Sequence, residues 1–102
     1  MLEVTDNSIW VLSKDFVLKS LDPEKGPFWV FNVQTGSYFE LNKTAHFILS
    51  CFDKINTIKN VLDSFIIKYL EVDKDILVKD FIETTDGLIA KKIIQLKNEE
   101  AI

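Results

Sequence analysis

The stretch from Phe31 to Ala45, FNVQTGSYFELNKTA, predicts the end of one strand, a tight turn, a second strand and the start of a helix. Thr35-Gly36 is typical of a tight turn, because glycine adopts a left-handed backbone conformation at no steric cost. Ser37–Leu41 follows with the period-two alternation and aromatic content of a strand. Asn42 is a good helix N-cap, because its side-chain oxygen can accept an unpaired backbone N–H of the first turn. This stretch therefore predicts where a sheet is followed by helices.

Upstream of that turn, the sequence favours strands joined by short connections. Ile9–Leu21 is rich in β-branched and aromatic residues, and we interpret it as one long or bulged strand. Asp22–Pro27 contains both prolines and one of the three glycines, which indicates a turn. Phe28–Val33 is then the second strand and Ser37–Leu41 the third. Connections this short predict an antiparallel meander with the third strand at its edge.

Downstream of Asn42, the apolar period changes from two to 3.6, which predicts helices. The first helix begins directly behind Asn42, and the second begins near Asn56 or Thr57. Each has one continuous apolar face: Ala45, Ile48, Leu49 and Phe52 in the first helix, and Ile58, Val61, Leu62, Phe65, Ile66 and Tyr69 in the second. Faces of this kind are buried against a core in globular proteins.

The third helix is predicted to run from Asp73, a candidate N-cap, to about Thr85, where Asp86-Gly87 provides a stop signal. We interpret Leu88–Leu96 as a short strand or a loose helix. The sequence contains no internal repeat or linker. Residues 1–102 are therefore predicted to form one α+β domain, in which a small antiparallel sheet precedes three packed helices.

Composition and charge argue against several classes of protein. The 102 residues are 47% hydrophobic, and their longest apolar runs are far shorter than the ~18 residues that a membrane span requires. No secretory signal is visible, and the single cysteine, Cys51, suits a reducing compartment, so we expect a cytoplasmic protein. The net charge is −4 and the chain has no arginine, whereas nucleic-acid binders usually carry a basic surplus. We therefore expect neither a membrane nor a nucleic-acid partner.

The sequence offers no catalytic constellation. His46 and Cys51, its only histidine and its only cysteine, lie five residues apart on the first predicted helix, which separates them by about 140° around the axis. They therefore cannot form a nucleophile–base pair, and together they are too few for a usual zinc site. The three glycines form no phosphate-binding loop. We expect neither enzymatic activity nor a cofactor.

The opening stretch also resembles the PqqD-like family, which is named for pyrroloquinoline quinone biosynthesis protein D. Its fold is also called the RiPP recognition element, where RiPPs are ribosomally made, post-translationally modified peptides. Members typically show an apolar strand, a Thr-Gly turn, an aromatic strand and then Leu-Asn-x-Thr-Ala at the start of a helix. The matching residues are Thr35-Gly36, Tyr38-Phe39 and Leu41–Ala45, and Thr57–Tyr69 and Gly87–Ile89 follow in the same order. The resemblance covers about residues 10–90.

The resemblance implies a three-stranded antiparallel sheet followed by a three-helix winged helix–turn–helix unit. It also implies a non-catalytic module that binds the leader of a ribosomal precursor peptide, which adds as a strand to the exposed third strand. Such a module delivers the precursor to a separate enzyme, such as a radical-SAM maturase or a lasso-peptide leader protease, and needs no cofactor itself. An edge strand suits this role, because its unpaired N–H and C=O groups can pair with an extended peptide.

The candidate peptide-binding residues follow from this implied mode. On the third strand they are Ser37, Tyr38, Phe39, Glu40 and Leu41, with Phe39 and Leu41 on one side of the sheet and Tyr38 and Glu40 on the other. On a wheel of the third helix, the inward arc consists of Val78, Phe81, Ile82 and Thr85. We expect a groove wall of residues at the margin of that arc or outside it, namely Ile76, Leu77, Asp80 and Thr84. The side of the strand that meets the peptide stays open at this point.

Two alternative functions remain. A winged-helix DNA-binding regulator shares the trihelical arrangement, although the acidic charge balance counts against it. A structural subunit that recruits a protein other than a leader is the other alternative. Similarity of fold alone does not separate these three functions.

Overall fold

A computed structural model describes residues 8–97 of the chain. Within that range the chain forms six strands and three helices. In chain order they are β1 (Ile9–Leu12), β2 (Phe16–Ser20), β3 (Phe28–Asn32), β4 (Tyr38–Leu41), α1 (Lys43–Cys51), β5 (Asn56–Thr57), α2 (Ile58–Lys68), α3 (Lys74–Ala90) and β6 (Ile94–Leu96). The strands make two three-stranded sheets, with orders β2-β3-β4 and β5-β1-β6. The predicted α+β class, with an antiparallel three-stranded sheet and three helices, is confirmed.

The meander β2-β3-β4 is antiparallel throughout, and β4 lies at one of its edges. The turn between β3 and β4 is held by Asn32, whose side-chain oxygen accepts the backbone N–H groups of Gln34 and Thr35 at 2.8 and 3.2 Å. Gly36 completes the turn with a φ of +80°, a conformation that a side chain would strain. This local hydrogen bonding explains why the turn could be predicted from the sequence.

The prediction of one strand over Ile9–Leu21 is wrong, because β1 and β2 belong to different sheets. The Phe16 N–H donates to the Ser13 carbonyl at 3.0 Å, which closes a turn, and Ser13 is buried. β1 instead pairs with β5 and with β6, whose residues lie far away in the sequence. The backbone N–H groups of Leu12 and Ser13 also donate to the carbonyls of Phe52 and Ile93. Long-range pairing therefore divides a stretch that looks continuous locally.

The predicted N-caps Asn42 and Asp73 are confirmed, and the second helix is capped by Thr57, within the predicted start. The side chains of Asn42, Thr57 and Asp73 accept backbone N–H groups at 2.8, 3.1 and 2.8 Å from Ala45, Asn60 and Asp75. The predicted faces of α1 and α2 are buried in one core, with Ile66 and Tyr69 packed at its border. Each cap satisfies a donor that the first helical turn leaves free, so it acts independently of tertiary packing.

Helix α3 was predicted to end at Asp86-Gly87, but it continues to Ala90. Burial of Leu88 stabilises the extra turn by roughly 1.5–3 kcal/mol, which exceeds the cost of about 1 kcal/mol for Gly87 inside a helix. The helix ends in a Schellman motif. Lys92 adopts a φ of +62°, and the Ile93 N–H donates to the Leu88 carbonyl at 2.9 Å. Ile93 is fully buried there, which anchors the end of the helix.

The two faces of the meander have different surroundings. Phe16, Phe28 and Val30 are buried on its inner face, where Phe39 and Leu41 also pack against the core. The outer face carries the alternate residues of each strand. They are Val17 and Lys19 on β2, Trp29 and Phe31 on β3, and Tyr38 and Glu40 on β4.

Candidate functional site

The hydrogen-bond parity of β4 follows from its pairing with β3. The Asn32 N–H donates to the Ser37 carbonyl at 2.8 Å, and the register continues through the pair of Val30 with Phe39. Hydrogen-bonded pairs alternate along an antiparallel ladder. Phe39 and Leu41 therefore direct their N–H and C=O groups toward β3.

Tyr38 and Glu40 have the opposite parity, so their N–H and C=O groups point away from β3 toward the open edge of the sheet. Their side chains stand on the outer face. The side chains of Phe39 and Leu41 lie on the inner face and are half-buried. Strand β4 thus offers four backbone hydrogen-bonding groups to an incoming extended chain and separate side-chain surfaces on either side.

A groove of about 460 Å³ lies between β4 and α3. Its floor is apolar, and helix α3 contributes residues spaced as one helical face, Thr84, Gly87, Leu88 and Lys91. The other lining residues are Tyr38, Phe39, Glu40, Leu41, Ala45, Glu83 and Ile93. The open edge of β4 therefore forms one margin of a groove with an apolar lining.

Two features of the helix wall shape this groove. The Lys91 ammonium lies 5.7 Å from the centroid of the Phe39 ring, a distance at which a cation is attracted to the ring face. A Cβ atom placed on Gly87 would meet nothing within 4 Å, so the groove is open at that position. Glu83 adds a carboxylate, so the groove carries charges of both signs.

The structure brings together five of the nine predicted site residues. Tyr38, Phe39, Glu40, Leu41 and Thr84 all line the groove. Ser37 immediately precedes β4 and belongs to the turn, where its hydroxyl lies 2.7 Å from that of Thr35. Ile76 is 60% exposed and Asp80 is also exposed, but both lie on α3 N-terminal to the residues that line the groove.

Leu77 was expected at the margin of the inward arc, beside the groove, and that expectation is wrong. It is 4% exposed and belongs to the core, together with Phe81 and Leu88. Val78 and Ile82, expected on the inward arc, are only half-buried. Leu77 shares its face of α3 with buried Leu88, which lies eleven residues and about three turns further along the helix.

Glu83, Gly87 and Lys91 are groove residues that the sequence analysis missed. The last two lie at or beyond the predicted end of α3, so the sequence does not predict them as part of a helix wall. The signal that could have found them is spacing, because Gly87 and Lys91 follow Thr84 by three and seven residues. Only a helix that continues past Gly87 gives that spacing a structural meaning.

A second cavity, of about 440 Å³, lies on the outer face of the meander. Its lining is mostly aromatic and consists of Pro27, Trp29, Phe31, Tyr38 and Glu40. Tyr38 is 66% exposed, whereas Trp29 and Phe31 are half-buried. The cavity shares Tyr38 and Glu40 with the groove, so it adjoins the same open edge.

His46 and Cys51 are not arranged for catalysis. The His46 ring stacks on Phe28, with centroids 4.1 Å apart, and burial lowers the pKa of the imidazole. Cys51 packs against the core, and burial raises the pKa of its thiol, the opposite of what a nucleophilic thiolate requires. Among residues 8–97, no group of three or more His, Cys, Asp or Glu side chains could hold a metal ion. No helix in this part of the chain is long and apolar enough to cross a membrane.

These features define a class of protein: an α+β domain with an open strand edge beside a groove that a helix lines. The family model of coenzyme PQQ synthesis protein D (PqqD) matches residues 21–94. The chain belongs to this family, and its fold is that of a RiPP recognition element. Among solved structures, the chain is similar to TbiB1 in complex with the TbiA(beta) leader peptide, at 22% identity and a TM-score of 0.68. The match covers 83% of this chain and 94% of TbiB1. No curated protein sequence gives a significant match.

Proposed function

We propose that this chain binds the leader of a ribosomally made precursor peptide by strand addition to β4. The observation that carries the proposal is the outward parity of Tyr38 and Glu40, which leaves their N–H and C=O groups at an open edge beside an apolar groove. An extended peptide satisfies such groups, and each new hydrogen bond contributes about 0.5–1.5 kcal/mol net. The similar protein TbiB1 was solved in complex with a leader peptide, which supports the same role here.

The groove would supply the specificity that backbone pairing lacks. Peptide side chains opposite Phe39 and Leu41 would enter it and meet Thr84, Gly87 and Lys91 on α3. Its apolar floor favours apolar peptide side chains, and burying one of them fully contributes roughly 1.5–3 kcal/mol. The Lys91 ammonium is free to turn from the Phe39 ring toward an acidic peptide residue.

The remaining predicted residues take more distant roles in this proposal. Asp80 and Ile76 lie one and two helical turns before Thr84, so they would contact a peptide segment that continues past the groove. Ser37 would contact a peptide that extends beyond the other end of β4. Leu77 would act only by supporting the helix from the core.

The further steps belong to other proteins in this proposal. The chain would deliver its bound precursor to a separate modifying enzyme or leader protease in the cytoplasm, for example a radical-SAM maturase or a lasso-peptide protease. It would carry no catalytic residue or cofactor itself, since the proposed role requires only binding.

The direct test is calorimetric titration of the purified chain with a synthetic leader, chosen by searching for a precursor gene beside its own gene. We expect a Kd between roughly 10 nM and 10 μM for the leader and none measurable for the core peptide. Equal affinity for both peptides, or none for either, contradicts the proposal. A gel shift with random duplex DNA at low salt tests the regulator alternative, and salt-sensitive binding there would support it.

Position 87 offers a matched pair of variants for that titration. Gly87→Leu adds a side chain where the groove is open, so it should leave the fold intact and weaken leader binding by about tenfold or more. Gly87→Ala adds only a methyl group and controls for the change in helix propensity. If Gly87→Leu binds the leader as tightly as Gly87→Ala, the peptide does not lie in this groove.

A further inference from the structure

The outer face of the meander carries an aromatic cavity that backbone pairing at β4 does not use. Trp29 and Phe31 lie on the central strand, yet both remain partly exposed and line the cavity. Tyr38 and Glu40 stand beside them on the edge strand as their direct cross-strand partners. Exposed aromatic surface of this kind, placed next to a strand edge, is typical of a recognition surface.

The apolar surface is concentrated toward the open edge. On the far strand of the same face, Val17 and Lys19 lie outside the cavity. The aromatic side chains therefore gather on the side where an added strand would lie.

The pleat of a sheet determines where the side chains of an added strand point. Residues directly opposite each other in neighbouring strands face the same side of the sheet. Peptide residues opposite Phe39 and Leu41 therefore face the α3 groove, whereas those opposite Tyr38 and Glu40 face the outer cavity. This alternation holds whether the peptide runs parallel or antiparallel to β4.

We infer that the outer cavity is a second specificity site for the same peptide, and that it takes a large apolar or aromatic side chain from the peptide position opposite Tyr38, which reaches inward between Tyr38 and Glu40. This inference rests on the proposed function, since the occupant of the outer cavity is a side chain of the peptide that pairs with β4. Tyr38 and Glu40 are two residues apart on one strand, so their side chains are separated by about 7 Å. The space between them forms a slot, and only a long peptide side chain can reach through it to Trp29 and Phe31. The Glu40 carboxylate at one end of the slot favours a basic residue at the neighbouring outward position of the peptide.

A random dodecapeptide library displayed on phage, panned against the intact chain, provides a probe that requires no known precursor. We expect the wild-type chain to select peptides with preferences at both alternating sets of positions. Tyr38→Thr and Phe31→Thr should lose the preference only at the peptide positions that face the outer cavity. Val17→Thr lies on the same face outside the cavity and is the matched control. A selected synthetic peptide should bind Tyr38→Thr about tenfold more weakly than Val17→Thr.

The outcomes separate this inference from the proposed function. If the wild-type chain selects peptides but both cavity variants keep the same preferences as Val17→Thr, the second site does not exist and strand addition stands. If the wild-type chain selects no peptides, both are overturned. If the variants lose a wild-type dimer in sedimentation experiments without a change in selection, the face binds a second copy and the inference fails. Because Tyr38 is mostly exposed, its variant remains informative even if Phe31→Thr does not fold.

Discussion

The Lys91 ammonium lies 5.7 Å above the Phe39 ring and thereby connects the end of α3 to the edge strand β4 across the groove. Lys91 is also the C-cap of α3, where a cation interacts favourably with the helix dipole. We expect Lys91→Gln to lower the free energy of unfolding by about 1 kcal/mol, because both interactions are lost. Urea denaturation measures this change. Lys79→Gln, an exposed lysine within the same helix, is the control, and an equal effect there would contradict the contact.

Proline substitution tests the parity of β4. Glu40→Pro removes an N–H that points to the open edge, so the domain should remain folded while leader binding weakens beyond that of Glu40→Ala. Phe39→Pro removes an N–H that pairs with β3, so it should destabilise the fold, by about 3 kcal/mol if the cost resembles that of proline inside a helix. Thermal melts and titrations of both variants decide the matter. The reverse pattern would show that the strand has the other register.

Neighbouring residues of α3 should respond oppositely to the same substitution. Ile76→Asp changes an exposed position, so we expect the free energy of unfolding to change by no more than about 0.5 kcal/mol. Leu77→Asp forces a carboxylate into the core and should cost several kcal/mol. Denaturant titration compares the two variants. A large loss for Ile76→Asp would place that residue in the core, and a weaker leader affinity without such a loss would support its contact with the peptide.

The left-handed backbone at Lys92 provides a stability prediction. A non-glycine residue at a φ of +62° is strained, and the Schellman position usually holds glycine. Lys92→Gly should therefore raise the free energy of unfolding by about 0.5–1 kcal/mol. Lys92→Ala keeps the strain and controls for the lost charge. If both variants melt at the same temperature, the strain at this position is negligible.

His46 should make stability depend on pH. Burial against Phe28 lowers its pKa from the ordinary value of 6.5, so the unfolded chain binds a proton at a higher pH than the folded chain does. Stability is therefore greatest above pH 6.5 and decreases as the pH falls from there toward the lower pKa of the folded state. His46→Phe keeps an aromatic ring on Phe28 and should reduce this slope. Melting temperatures between pH 5 and 8 measure it, and an unchanged slope in the variant would assign the effect to other groups.

Local signals sufficed for much of this molecule. Asn42 and Asp73 cap their helices as predicted, because a cap depends on a side chain and a backbone N–H only two or three residues away. The turn at Gly36 and the buried faces of α1 and α2 followed from equally short-range patterns. The family resemblance, carried by the residues around that turn, was likewise local and is confirmed by the match over residues 21–94.

Tertiary structure alone decided the rest, since each missed feature depends on a partner distant in the sequence. β1 separates from β2 because its hydrogen-bonding partners are β5 and β6, which periodicity within Ile9–Leu21 cannot reveal. α3 passes Gly87 because Leu88 and Ile93 are buried by other elements, which outweighs a local stop signal. That extension brings Gly87 and Lys91 opposite β4, and packing of α3 against the core buries Leu77. The alternation of Tyr38 with Phe39 was visible in the sequence, but only the pairing with β3 decided which backbone groups face the open edge.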